Sequence, residues 1–266
     1  MSLKDACILV LMLVWLTSSA IASDSVSAGD VKATLNIVST NYPPFYSESY
    51  SNNGAVAYIV ATAFQRRGYN ISHKFYPFTR ATLLVKTGKV DGIVGLWYRK
   101  SREQWAEYSL PIVSLNIVLY KRKDSDISYQ QLSDLQGLRI GVGRGYANPV
   151  AFTQAKLETE ESSSDELNMK KLFLKRIDLV LIGRELAKYI IRTGPDEYAN
   201  MFEEVGEPLS VEVFHFGASK SIPGYQHLIK EFNLGLESMR QDGSLDKILQ
   251  DYELTQSIKT PSVVVN

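Results

Sequence analysis

Cysteine and histidine are scarce in this chain, and their scarcity removes whole classes of chemistry. Cys7 is the one cysteine among 266 residues and lies inside the first apolar stretch, so neither a disulfide framework nor thiol catalysis is expected of the mature protein. His73, His215 and His227 are scattered without metal-ligand spacing, and no metal or other cofactor is expected. An excess of charge of one sign is lacking too. Basic residues (29) balance acidic ones (29), and no basic stripe with interleaved aromatics occurs, which argues against nucleic acid as a partner. Repeats and low-complexity tracts are absent, and no second long apolar run follows the N-terminal one. The 45% apolar content therefore reads as a soluble globular protein.

What is present begins with a targeting pattern. Residues 1–22 carry one early lysine, an apolar run from Ala6 to Leu16, and small residues ending in Ala20-Ile21-Ala22, the layout of a cleavable secretory signal. The run is short for a membrane span, and no cationic stop follows it. Cleavage after Ala22 and a periplasmic mature protein are the expectation.

Strand and helix patterns then alternate. Thr34 to Val38 reads as a strand that Tyr42-Pro43-Pro44-Phe45 stops, because two prolines cannot donate to a ladder. Val56, Ile59, Val60, Ala63 and Phe64 mark an amphipathic helix ending at Gly68, and Ile71 to Tyr76 is the next strand. Ala81, Leu84 and Val85 give a short helix closed by Lys86 and Gly88. Val90 to Trp97 is apolar on both alternations, as expected of a parallel strand covered on both faces. Ligands of such sheets bind beyond the carboxyl ends of the strands, which here points to Trp97, Tyr98 and the cationic run to Arg102.

Downstream, Ile112 to Lys123 reads as one long strand, Ser128 to Gln136 as a short helix and Leu138 to Val142 as a strand. Asn148 and Pro149 suit an N-cap and a first helical position. The polar, acidic stretch 153–166 has almost nothing to bury and reads as an exposed loop or frayed helix end. Leu167 to Arg176 and Arg184 to Arg192 read as helices around a buried strand from Ile177 to Ile182, and Val211 to Gly217 as a returning strand. Two helices follow, one carrying Leu228, Ile229, Phe232, Leu236 and Met239, the other Leu245, Ile248, Leu249 and Tyr252. Residues 255–266 read as a loose tail.

Four stretches in order carry a family resemblance. They are Tyr42-Pro43-Pro44-Phe45, the run from Tyr76 through Gly88-Lys89-x-Asp91-Gly92 and Arg102 to Tyr108-Ser109-Leu110-Pro111, the run from Leu132 to Val142, and Gln241 to Leu249. Over residues 33–253 the chain resembles the family-3 extracellular solute-binding proteins of ABC importers. The resemblance implies an α/β, two-lobed type II periplasmic-binding-protein fold, each lobe a mainly parallel sheet flanked by helices. Lobe 1 would comprise 31–115 and 216–254, lobe 2 would comprise 116–215, and two crossing strands would form a hinge that permits closure around a ligand.

The same resemblance implies the site. Arg102, six residues before Tyr108, matches the arginine that grips a ligand carboxylate, a task suited to a bidentate guanidinium. Arg80 is expected to add a second cation, with Tyr42 and Phe78 as sandwiching rings. Trp97 and Tyr98 stand where relatives have small hydroxyl residues. The loop with Tyr146 and Asn148 stands where relatives present backbone amides at a helix start. The plainer alternatives are a solvated arginine at 102, a first-turn surface arginine at 80 and core packing for each ring. Ser39 and Gly183 occupy positions where amino-acid-binding relatives hold the ammonium with carboxylates, so a plain α-amino acid is expected to bind poorly.

The function that follows is capture of a small anionic or zwitterionic molecule for delivery to an inner-membrane ABC permease by a monomeric, non-enzymatic protein. One alternative is an enzyme on the same scaffold, like the few relatives that dehydrate cyclic carboxylic acids. It would need a general acid or base, for which Glu48, Glu103 and Glu107 are the nearby carboxylates. A periplasmic sensor module is the other alternative.

Overall fold

The computed structural model describes residues 32–254, so the expected signal segment, Cys7 and the expected tail lie outside the described residues. Nine strands form one sheet: β1 (Ala33–Ser39), β2 (Tyr69–Phe75), β3 (Gly92–Trp97), β4 (Ala106–Tyr108), β5 (Val113–Arg122), β6 (Ile140–Gly143), β7 (Thr159–Ser162), β8 (Leu179–Gly183) and β9 (Phe202–Ser219). The helices are α1 (Ala55–Gln65), α2 (Phe78–Lys86), α3 (Val150–Gln154), α4 (Asp165–Phe173), α5 (Arg184–Thr193), α6 (Tyr225–Gln241) and α7 (Ser244–Asp251).

The strand order is β2-β1-β3-β9-β5-β8-β6-β7, with β4 paired on β9. Strands β2, β1 and β3 are mutually parallel, as are β8, β6 and β7. Between these two parallel groups run β5 and β9, antiparallel to each other and to their outer neighbours. The long strand expected from Ile112 is thus β5, and the returning strand is far longer than its apolar portion, starting at Phe202 rather than Val211.

Burial explains the local choices. All six residues of β3 are buried, because α1 covers one face and α2 the other. Leu35 and Ile37 of β1 face the large core with α1, while Val38 joins Ala81 and Val85 of α2. Gly88 closes the α2 turn with φ +66°, in the left-handed region that glycine enters without penalty.

Three sequence readings need correction. The stretch 153–166 is not a loop: it holds β7, parallel to β6, and the start of α4. β7 is an edge strand with Thr159 and Glu161 exposed, so its sequence Thr-Glu-Glu-Ser carries no apolar signal. Pro149 rather than Asn148 stands at the start of α3, without a side-chain cap. The helix expected over Ser128 to Gln136 is one short 3-10 turn, Leu132–Leu135.

Candidate functional site

At the carboxyl ends of β1 and β3 the chain builds a small pocket walled by Tyr42, Tyr46, Phe78, Trp97, Tyr146 and Phe214, with Arg102 among its lining residues. Tyr42 and Tyr46 pair across the tight Pro43-Pro44 turn, where the Tyr42 amide donates to the Tyr46 carbonyl at 2.8 Å. Tyr42 meets Trp97 edge-on at 6.2 Å and lies 6.3 Å from Tyr146, while Phe78 meets Tyr146 edge-on at 5.2 Å. Offset and edge-on contacts of this kind fix ring positions.

Trp97 reaches this cavity because of a bulge. Pairing between β3 and β9 slips between Val94 and Leu96, at Gly95, which has φ +81°. A regular strand would put Val94 and Leu96 on one face and Trp97 on the other. The extra residue instead turns Leu96 toward α2 and returns Trp97 to the face of Val94. The Tyr46 hydroxyl occupies the space a side chain at 95 would need.

Arg102 is half-buried, donates to the Trp97 carbonyl at 3.0 Å, and stands 5.2 Å over the Phe78 ring. Burial pulls the guanidinium below its ordinary value; Tyr108 and Glu212 oppose that shift and Arg99 adds to it. A desolvated guanidinium beside a pocket has the chemistry to take a carboxylate. Arg99 plays a different part. It forms a two-point ion pair with Glu212 of β9 at 2.8 and 2.9 Å and donates to the carbonyls of Ala147 and Asn148 at 2.8 and 3.1 Å.

The sequence-predicted residues divide into two sets. Tyr42, Phe78, Trp97, Arg102 and Tyr146 converge on the cavity. Asn148 lines the adjoining spaces, and its carbonyl is taken by Arg99. Tyr98 and Arg80 do not converge. Tyr98 is 49% exposed and donates to Glu103 at 2.7 Å, since its side chain falls on the outer face one residue past Trp97. Arg80 is exposed and lies 4.6 Å over the Tyr76 ring, so it supplies no second cation among the lining residues. Gly183 has a structural use: its amide hydrogen-bonds the Tyr42 hydroxyl, and a Cβ there would stand 2.5 Å from that oxygen. Ser39, also buried, bonds His73 Nε2 at 2.8 Å. Of the three carboxylates considered, Glu103 holds Tyr98, Glu107 pairs with Lys220 at 3.0 Å, and Glu48 lines an outer cleft.

Sequence reasoning missed Asp165. It is 4% exposed, opens α4 behind the Ser164 N-cap, and hydrogen-bonds the Tyr146 hydroxyl. Burial, helped by Glu166, pushes its carboxyl up to about 7 against the opposing pull of Tyr146. The run Ser164-Asp165-Glu166 is an N-terminal helix signature, which could have placed α4 two residues earlier but not its carboxylate in a cavity wall.

The model of the bacterial extracellular solute-binding proteins, family 3, matches residues 35–255. This chain is a member of that family. Among curated proteins, this solute-binding protein is 26% identical over 237 residues to a probable histidine-binding protein of Campylobacter jejuni, covering 86% of this chain and 89% of that one. Solved structures with the same fold include a histidine kinase sensor domain with similarity to periplasmic binding proteins (TM-score 0.75, 17% identity, 86% of this chain and 98% of that one). A second is an arginine transport system periplasmic binding protein from Legionella pneumophila (TM-score 0.71, 24% identity, 83% and 99%). The α/β fold of this solute-binding protein is accordingly the type II periplasmic-binding-protein fold.

Proposed function

We propose that the protein captures a small carboxylate-bearing molecule, anionic or zwitterionic, between two lobes and hands it to an inner-membrane ABC permease after export to the periplasm. The observation that carries the reading is the desolvated Arg102 guanidinium at the edge of a ring-walled cavity. Charge draws the carboxylate to Arg102, while Tyr42, Phe78 and Trp97 offer apolar faces to the rest of the molecule. The relatives' names, a probable histidine-binding protein and an arginine transport component, support an amino-acid-like ligand.

A thermal-shift screen of the mature chain against amino acids and organic acids identifies a working ligand, since saturation at a hundred times Kd stabilises by about 2.7 kcal/mol. Titration calorimetry with that ligand is then expected to show R102A weakened by about 2–5 kcal/mol, the usual effect of removing one partner of a close charge pair. R102K should recover part of the loss, because a point charge cannot reproduce a two-point fork. Wild-type affinity in R102A would place the anion elsewhere.

A further inference from the structure

The clefts that share Tyr146 as a lining residue differ in charge. One is lined by Lys86, Arg99 and Arg102. Another is lined by Glu48, Asp165 and Glu166. A second small pocket with Tyr42, Trp97, Tyr146 and Asp165 in its walls adjoins the one at Arg102, sharing those three rings with it. The binding region therefore has a cationic pole at Arg102, an acidic pole at Asp165 and aromatic faces between them. Trp97 Nε1 adds a second observation. It is buried without a hydrogen-bond partner, and Trp97 lines both cavities, so the passage between the poles contains an unmet donor.

We propose that Asp165 receives a cationic group of the ligand, so that the protein selects carboxylates bearing an ammonium or guanidinium at the far end of the chain from the carboxylate. This rests on the reading of Arg102 as the anion receptor and extends it to the other end of the molecule. Two poles in adjoining pockets that share the rings of Tyr42, Trp97 and Tyr146 favour separated charges, and they disfavour an α-amino acid whose ammonium adjoins its carboxylate. The rings of Tyr42, Trp97 and Tyr146 suit the methylene chain between them and contribute cation–π attraction near the acidic end. Asp165 is otherwise a carboxyl taken out of water with a phenol as its partner, an arrangement that a ligand cation would relieve. Tyr146, Glu166, Tyr42 and Tyr46 are the titratable groups whose interaction with Asp165 is felt, and none is a cation.

Two matched series test the proposal by calorimetry at pH 7: ω-aminocarboxylates from glycine to 6-aminohexanoate, and the alkanoates from acetate to hexanoate. At some length beyond glycine the terminal ammonium is expected to improve affinity about tenfold or more over the alkanoate, and in D165N that ratio should fall to about threefold or less. A second readout needs no variant. Capture of the cation should release a proton from wild-type Asp165, making the binding enthalpy differ between phosphate and Tris buffers for the ω-aminocarboxylate and not for the alkanoate. Alkanoate binding without an ammonium advantage overturns this proposal while leaving the Arg102 reading in place. An advantage that persists in D165N, or binding without proton release, overturns it too. If no member of either series binds, this proposal falls, and the Arg102 reading stands or falls by R102A with the ligand found in the screen.

Discussion

Asp165, which is buried, and His73, which is half-buried, are titratable side chains whose desolvation acts on stability in opposite directions with pH. Asp165 keeps its proton up to about 7 in the folded protein but loses it near 3.9 when unfolded. Between those values the folded state binds more protons, so stability falls as pH rises. His73, held down to about 4 by burial, behaves in the reverse sense: its unfolded form charges near 6.5, so stability falls as pH drops from there toward 4. Each contribution is on the order of 3 kcal/mol at full extent, and between pH 4 and 6.5 they nearly cancel. Urea melts across pH 4 to 8 should expose them one at a time. D165N is expected to gain stability at pH 8 relative to wild type and to show stability rising with pH, whereas H73Q should show it falling. A D165N slope equal to wild type would contradict the buried-acid account.

At the scale of elements, the bulge in β3 decides which aromatic ring joins the site. An L side chain at position 95 must adopt φ near +81° and also displace the Tyr46 hydroxyl. Left-handed strain of about 1–2 kcal/mol and overpacking of about 1–3 kcal/mol together predict a loss of about 2–5 kcal/mol for G95A, read by denaturant unfolding. Adding Y46F should return part of this, because the hydroxyl is the group nearest the new methyl. The same bulge explains why Trp97 and Tyr98 could not be told apart in the sequence. Adjacent residues of a strand face opposite ways, and a one-residue irregularity reverses which of them points inward. Arg102 was legible through the family resemblance, whose motif from Tyr76 to Pro111 lies within one continuous segment. Arg80 misled for a related reason: it follows Tyr76 closely in sequence, but the α2 turn sends its side chain over that ring and out to solvent.

For the whole molecule, the two parallel groups of strands meet only through the long antiparallel pair β5 and β9. That topology supports the proposal of lobes at 31–115 with 216–254 and at 116–215, turning about β5 and β9. Arg99 reaches from the end of β3 to Glu212 and to the carbonyls of Ala147 and Asn148, contacts that a rotation about those strands would alter. Small-angle scattering should show the radius of gyration decreasing when a ligand found in the screen is added, with a smaller contraction in R99A. An unchanged profile in wild type would rule out closure as the means of capture.

What the sequence determined by itself is the alternation of strands and helices, the doubly covered strand β3 and the long crossing strand β5. These follow from local periodicity and short spacings, which operate within one element at a time. Only the tertiary structure decided that the polar stretch 153–166 holds an edge strand, that Trp97 rather than Tyr98 lines the cavity, and that Asp165 stands behind Tyr146. Edge strands need little apolar surface, bulges leave no mark on composition, and a contact between an acid that opens a helix and a phenol nineteen residues earlier exists only once β6 and β7 lie side by side.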